Sequence, residues 1–196
     1  MQAGTLLYWM GAGRLHKIEA EFILSEGPIL ILVDDLEERV TWAPARDLIA
    51  KEFARELLEH KATLKVISPE TVRRFRRTHA NFDDLKCTQV GRLVGAEQVL
   101  WIAVTAFYAE EEVHDTTQAA SLSVTVRVIN PNERKSRHKV RLWPTNREGK
   151  AVAVQLNANE VNRLKTKDRI ATELSRKLAA DVAKLFYEHS LQDPMD

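Results

Sequence analysis

QVLWIAVTAFY, residues 98–108, decides the fold. Leu100, Ile102, Val104 and Ala106 alternate with Val99, Trp101, Ala103, Thr105 and Phe107, so both faces are largely apolar. That is the pattern of an interior strand covered on two sides. The next apolar segment, AASLSVTVRVIN at 119–130, reads differently: Leu122, Val124, Val126 and Val128 face one way, and Ser121, Ser123, Thr125 and Arg127 the other. One face of this strand is therefore wet or thinly covered. Asn130-Pro131-Asn132-Glu133 is a turn signal, and it leads into 136–143, where His138, Val140 and Leu142 alternate with Arg137, Lys139 and Arg141. The spacing predicts an antiparallel hairpin. Residues 151–155 read as a further edge strand. A closing helix is predicted over about 166–189, because Ile170, Leu174, Leu178, Val182 and Phe186 recur every four residues.

Upstream of the long strand, PILILV (28–33) is a continuous run of the kind buried on both faces, with 18–24 as a weaker strand before it. Pro44 stands where a helix begins, since its missing N–H costs nothing in a first turn. Leu48, Ile49, Phe53, Leu57 and Leu58 follow at helical spacing. TLKVI (63–67) reads as a strand, Ser68-Pro69 as a helix start, 70–77 as a short basic helix, and 85–94 as a helix ended by Gly95. The expected fold is α/β: a single domain over 27–190 with a mixed sheet of about five strands. Helices pack against that sheet, and a C-terminal amphipathic helix closes it. Residues 1–26 are expected to form an N-terminal arm and 191–196 a frayed tail.

Composition bounds the function classes. The chain has 196 residues, 44% hydrophobic and 29% charged, which suffices for a core. Its 29 basic and 28 acidic residues give a net charge of +1, against the basic excess of a dedicated nucleic-acid binder. The single cysteine, Cys87, rules out an internal disulfide and a multi-cysteine metal site. No apolar run approaches the roughly 20 residues of a spanning helix. Residues 2–13 (QAGTLLYWMGAG) are apolar and uncharged until Arg14. Two readings stand: a tether following a removed or missed export signal, or an arm that packs on the domain or frays in solution. The stretch contains no lipid-accepting cysteine.

The candidate chemistry is thin. Asp34-Asp35, with Glu37 or Glu38, could hold Mg²⁺ at the carboxyl end of a buried strand. The plainer reading is a solvated turn, since no phosphate-cradling glycine loop accompanies the pair. The six histidines stand at no metal-ligand spacing, and His114 lies in an acidic segment read as an exposed loop. Cys87 has no activating motif around it and reads as a packed helical thiol. Gly11-Ala12-Gly13 is too short for a dinucleotide fingerprint. No catalytic, metal or cofactor residue is assigned. The polyanion candidate is Arg73, Arg74, Arg76 and Arg77, four guanidiniums within five residues. Arg134, Lys135, Arg137, Lys139 and Arg141 form a second basic stretch, which would also discourage edge pairing.

Four stretches, 29–35, 64–69, 91–104 (GRLVGAEQVLWIAV) and 121–130, together with the element order, resemble a group of bacterial envelope domains. The group comprises the curli-secretion lipoprotein domain, the lipoprotein activators of penicillin-binding proteins, and the N-terminal domain of the periplasmic Tol propeller protein. Gly95-Ala96-Glu97 matches the Gly-Ala-Asp-like step that leads into the group's long strand, and Asn130 replaces the Asp of its tight turn. The resemblance runs from about residue 28 to 189. The charged segment 147–167 and the basic cluster after Ser68 depart from it. The resemblance implies a binding or assembly component and not an enzyme.

The expectation is a non-enzymatic cell-envelope interaction domain, periplasmic or outer-membrane associated, or cytoplasmic if the N-terminus is genuine. Its partner would be a protein, with Tyr8 and Trp9 and the wet face of 121–127 as contact surfaces. Peripheral membrane association through the N-terminus and homo-oligomerisation are compatible with this. The alternative is a cytoplasmic nucleic-acid or polyanion-binding module using the Arg73–Arg77 cluster. A third class, a metal-dependent hydrolase using Asp34 and Asp35, completes the set.

Overall fold

The computed structural model describes residues 16–35, 44–109 and 120–191. In chain order the elements are β1 (His16–Ile18), β2 (Ile29–Asp34), α1 (Ala45–Glu59), α2 (Pro69–Thr78) and α3 (Cys87–Leu93). There follow β3 (Gln98–Ala109), β4 (Ala120–Ile129), α4 (Arg137–Val140), β5 (Arg141–Trp143), β6 (Lys150–Leu156), α5 (Ala158–Leu164), α6 (Lys167–Ala183) and β7 (His189–Leu191). The fold is α/β, built on a mixed five-stranded sheet.

β2 lies parallel to β3, β3 antiparallel to β4, and both β5 and β6 pair antiparallel with β4. β6 covers Ala120–Val126 of β4, whereas β5 reaches only Val128 and Ile129, so the two share one side of the same strand in succession. A register shift between Val104 and Ala106 leaves Thr105 as the extra residue of β3, an irregularity that bends a strand and sharpens its twist.

One face of the sheet is the main core. Ile29, Ile31 and Val33 of β2, Leu100, Ile102 and Val104 of β3, and Leu122, Val124, Val126 and Val128 of β4 pack there. Helices α1 and α6 cover them with Ile49, Phe53, Leu57, Ile170, Leu174, Leu178 and Val182, all fully buried. A smaller cluster lies on the opposite face: Leu30, Leu32, Val99 and Ile129 from the strands, with Val72, Phe82 and Val90 from α2, the 3-10 turn at Phe82–Asp84, and α3. The turn into β3 is tightly built. Gly95 takes φ +71°, the Ala96 N–H donates to the Gly91 carbonyl at 2.8 Å, and the Glu97 N–H donates to the Pro28 carbonyl at 2.8 Å. Asn130 closes the opposite turn, its Oδ1 accepting from the Asn132 N–H at 2.9 Å, and Asn132 Nδ2 donates to the Ala96 carbonyl at 3.1 Å.

Several expectations are corrected. TLKVI is not a strand: it touches the sheet through one parallel bridge, Ile29 to Val66, with Leu64 71% exposed. A five-residue run with a bare leucine buries too little to hold a full ladder. Residues 136–143 do not form one strand. Arg137–Val140 makes a single helical turn, and only Arg141–Trp143 pairs with β4. The weak strand at 18–24 shrinks to His16–Ile18, which pairs with β7. The closing helix ends at Ala183, followed by a 3-10 turn through Phe186. Leaving the α-helix there lets Phe186 meet the Trp143 ring edge-on at 5.6 Å and Tyr187 stack on His60 at 4.4 Å. The charged segment 147–167, for which the sequence predicts no helix, contains α5.

Candidate functional site

Alternation along β4 fixes the surface that matters most. Its even-numbered residues are buried, so Ser121, Ser123, Thr125 and Arg127 must stand on the other face, where all four are half-buried. Register then sets their neighbours. Tyr108, Ala106, Ala103 and Trp101 of β3 lie opposite Ser121, Ser123, Thr125 and Arg127. On the β6 side Gln155, Ala153 and Ala151 oppose Ser121, Ser123 and Thr125, and all three are exposed. The smaller apolar cluster reaches across this face only as far as Trp101 and Ile129. Beyond it, among the described residues, no helix covers the Ala-Ser-Thr surface.

Where covered and uncovered halves meet, polar groups converge. The Arg127 guanidinium lies over the Trp101 ring, 4.8 Å from its centroid, a cation–π contact. Trp101 Nε1 donates to Asp34 Oδ2 at 3.3 Å. Arg127 Nη2 donates to the Arg147 and Glu148 carbonyls at 2.9 and 3.0 Å, which holds the β5–β6 loop down on the sheet. Burial, and then the charge of Arg141, push the Arg127 guanidinium below its ordinary pKa. Cys87, half-buried at the start of α3, has its thiol raised chiefly by burial, the opposite of the shift that activates a nucleophile.

The arginine cluster of α2 is largely engaged. Arg73 pairs with Glu70 and, at 3.9 Å, with Asp47; Arg77 Nη2 lies 3.4 Å from Glu70 Oε1. Arg76 sits over the Phe82 ring at 5.0 Å, and Arg74 is exposed. The depression beside the cluster, about 390 Å³, is lined by Asp47, Lys51, Ser68, Pro69, Glu70 and Arg73. Two carboxylates there offset two cations. Tyr8 and Trp9 lie outside the described residues, as do Glu37, Glu38 and His114. Asp35 is buried and stands 3.9 Å from Arg46, while Asp34 accepts from Trp101. Among the described residues no three of His, Cys, Asp or Glu gather as a metal-binding group, and no helix is long and apolar enough to cross a membrane.

A cleft that sequence reasoning did not assemble lies between β5 and the following loop, about 580 Å³ in volume and lined by His138, Arg141, Thr145 and Arg147. The basic stretch through Arg141 was legible as charge. Its partners in the cleft come from a loop whose path depends on Arg127, a long-range contact that no local pattern encodes.

No family model matches the chain. No curated protein matches it either. Solved structures give a loose likeness of fold. Lipoprotein GNA1162 from Neisseria meningitidis is 17% identical over 67% of this chain and 82% of its own, with a TM-score of 0.42. The hypothetical protein CT253 from Chlamydia trachomatis is 17% identical over 83% of this chain and 98% of its own, TM-score 0.42. PelC from Paraburkholderia phytofirmans, solved as a dodecamer, is 12% identical over 88% and 96%, TM-score 0.44.

Proposed function

We propose that this chain is a non-enzymatic domain of the bacterial cell envelope that holds a protein partner on its uncovered sheet face. The observation that carries the reading is that face: three adjacent strands presenting Tyr108, Ala106, Ser121, Ser123, Ala151, Ala153 and Gln155, with no helix over them among the described residues. Tyr108, 45% exposed on this face, is an aromatic of the kind enriched where another polypeptide docks. The outer edge of β6 pairs with no strand among the described residues, so its backbone groups can take an added strand, from another protein or from a second copy. The envelope setting rests on the resemblance carried by 29–35, 64–69, 91–104 and 121–130.

The test is photo-crosslinking in the native cells, with the photoreactive residue at Ser123 or Ala153 and, as a control, at Lys51 on the exposed side of α1. Discrete adducts from 123 and 153 alone, in protein recovered with the envelope fraction, are expected. Adducts of equal yield from Lys51, or recovery with the cytosol, would overturn the proposal.

A further inference from the structure

The cleft between β5 and its following loop collects positive charge with little to offset it. His138, Arg141 and Arg147 line it, and Thr145 adds a hydroxyl. Among the described residues no carboxylate comes within 4.0 Å of these three side chains. On α2, by contrast, Glu70 alone takes up two of the four arginines. Close by, Arg127 is partly buried with its Nε lacking a hydrogen-bond partner, and it feels the charge of Arg141. Its Nη2 donates to the Arg147 and Glu148 carbonyls, and Arg141 Nη1 donates to the Asn146 carbonyl at 2.6 Å. Both arginines therefore fix the loop by hydrogen bonds to neutral carbonyls, and among the described residues neither forms an ion pair with a carboxylate, the Arg127 charge resting on the Trp101 ring alone. A site so built gains most from an oxyanion that brings two negative charges and several acceptor oxygens. Guanidinium forks match such oxygens in pairs.

We propose that this cleft binds a phosphate group, with Arg141 and Arg147 gripping its oxygens, the Thr145 hydroxyl donating a third bond and the His138 ring closing the side. The group can reach the cleft on a soluble phosphorylated molecule or on a phospholipid headgroup. The chemistry is the same for both.

The test uses the full chain and two probes: calorimetric titration with inorganic pyrophosphate, and flotation with vesicles of phosphatidylglycerol against vesicles of phosphatidylcholine. The variants are Arg147→Ala, Arg147→Glu and, as a control on the other basic cluster, Arg74→Ala. Among the described residues, residue 147 takes part in hydrogen bonding through its carbonyl alone, so its side chain can be removed while that bond to the loop stays. Binding of at least one anionic probe is expected, weakened about tenfold by Arg147→Ala and further by Arg147→Glu, and unchanged by Arg74→Ala. Pyrophosphate binding without flotation would assign a soluble ligand; selective flotation with phosphatidylglycerol alone would assign the headgroup. Binding of neither probe, or binding lost in Arg74→Ala and kept in Arg147→Ala, would overturn the site.

Discussion

Gly149 takes φ +91°, and a Cβ there would stand 2.4 Å from Thr125 Cγ2 and 3.1 Å from Arg127 Nε. Gly95 takes φ +71° with nothing within 4 Å of the same position. The pair separates two penalties. Gly95→Ala should lose only the left-handed backbone cost, about 1 kcal/mol. Gly149→Ala adds a collision with the sheet and should lose about 2–3 kcal/mol. Urea unfolding midpoints of the two variants measure the difference, and equal losses would mean that the β5–β6 loop does not press on β4. Cys87 makes a second test at this scale. Burial, helped by the charge of Asp34, raises its thiol above the ordinary cysteine value, with the Thr88 backbone N–H opposing. The folded protein should therefore be alkylated by iodoacetamide more slowly at pH 7.5 than the urea-unfolded chain, with a gap that narrows as pH climbs past the thiol's raised value. Equal rates at pH 7.5 would mean that burial does not hold the Cys87 thiol back.

Helix α5 illustrates what an element can hide in a charged stretch. Asn157 Oδ1 accepts from the Glu160 N–H at 3.0 Å, and Glu160 Oε2 accepts from the Asn157 N–H at 2.9 Å, a reciprocal cap. Glu160 Oε1 also meets Lys177 Nζ of α6 at 2.6 Å. Lys177 first, and then the Asn157 N–H, hold the Glu160 carboxyl below its ordinary value. A depressed carboxyl stabilises the fold above its unfolded pKa of about 4.3, and that contribution fades as pH falls through the folded value. Glu160→Gln keeps an acceptor for the cap and loses the charge. It should cost about 0.5–1 kcal/mol at pH 7, and its melting temperature should converge on the parent's toward pH 3. A constant gap across that range would argue that packing, not charge, is lost. The Asn-x-x-Glu spacing was readable in the sequence, yet the surrounding charge masked it. β2, β3, β4, α1 and α6 were legible because long periodic runs leave one consistent answer. Residues 136–143 alternate just as well, but β6 already occupies most of that side of β4. Asn130 instead donates its N–H to the Val140 carbonyl at 2.7 Å, which fits a helical turn at 137–140. Competition between two segments for one strand is a long-range fact. The wet face of β4 could be read from Ser121, Ser123, Thr125 and Arg127; the phosphate cleft could not, since it needs the loop that Arg127 ties down.

Across the whole molecule, stability follows how many sides of each strand are paired. β4 is paired on both sides over nearly its full length, and β3 only over Val99–Ala103, where β2 accompanies it. Beyond Asp34 the β2 side of β3 stands open among the described residues. β1 and β7 share three residue pairs, and α2 buries only Val72. Local openings cost least where few apolar contacts and ladder bonds must break. Hydrogen exchange should therefore be slowest in β4 and 99–103, intermediate in α1, α6 and β6, and fastest in α2 and the β1–β7 ribbon. Fast exchange in β4 would contradict the topology. The same measurement reads the proposed function. Along β6, alternate N–H groups bond to β4, while those between them point outward from an unpaired edge. A partner that adds a strand there should slow the outward-pointing amides of 150–156 and leave α2 unchanged. A partner that lies on the Ala-Ser-Thr face instead should protect side chains such as Tyr108 from modification, with little change in those amides. Slowing in α2 alone would move the contact to the arginine cluster and away from the sheet.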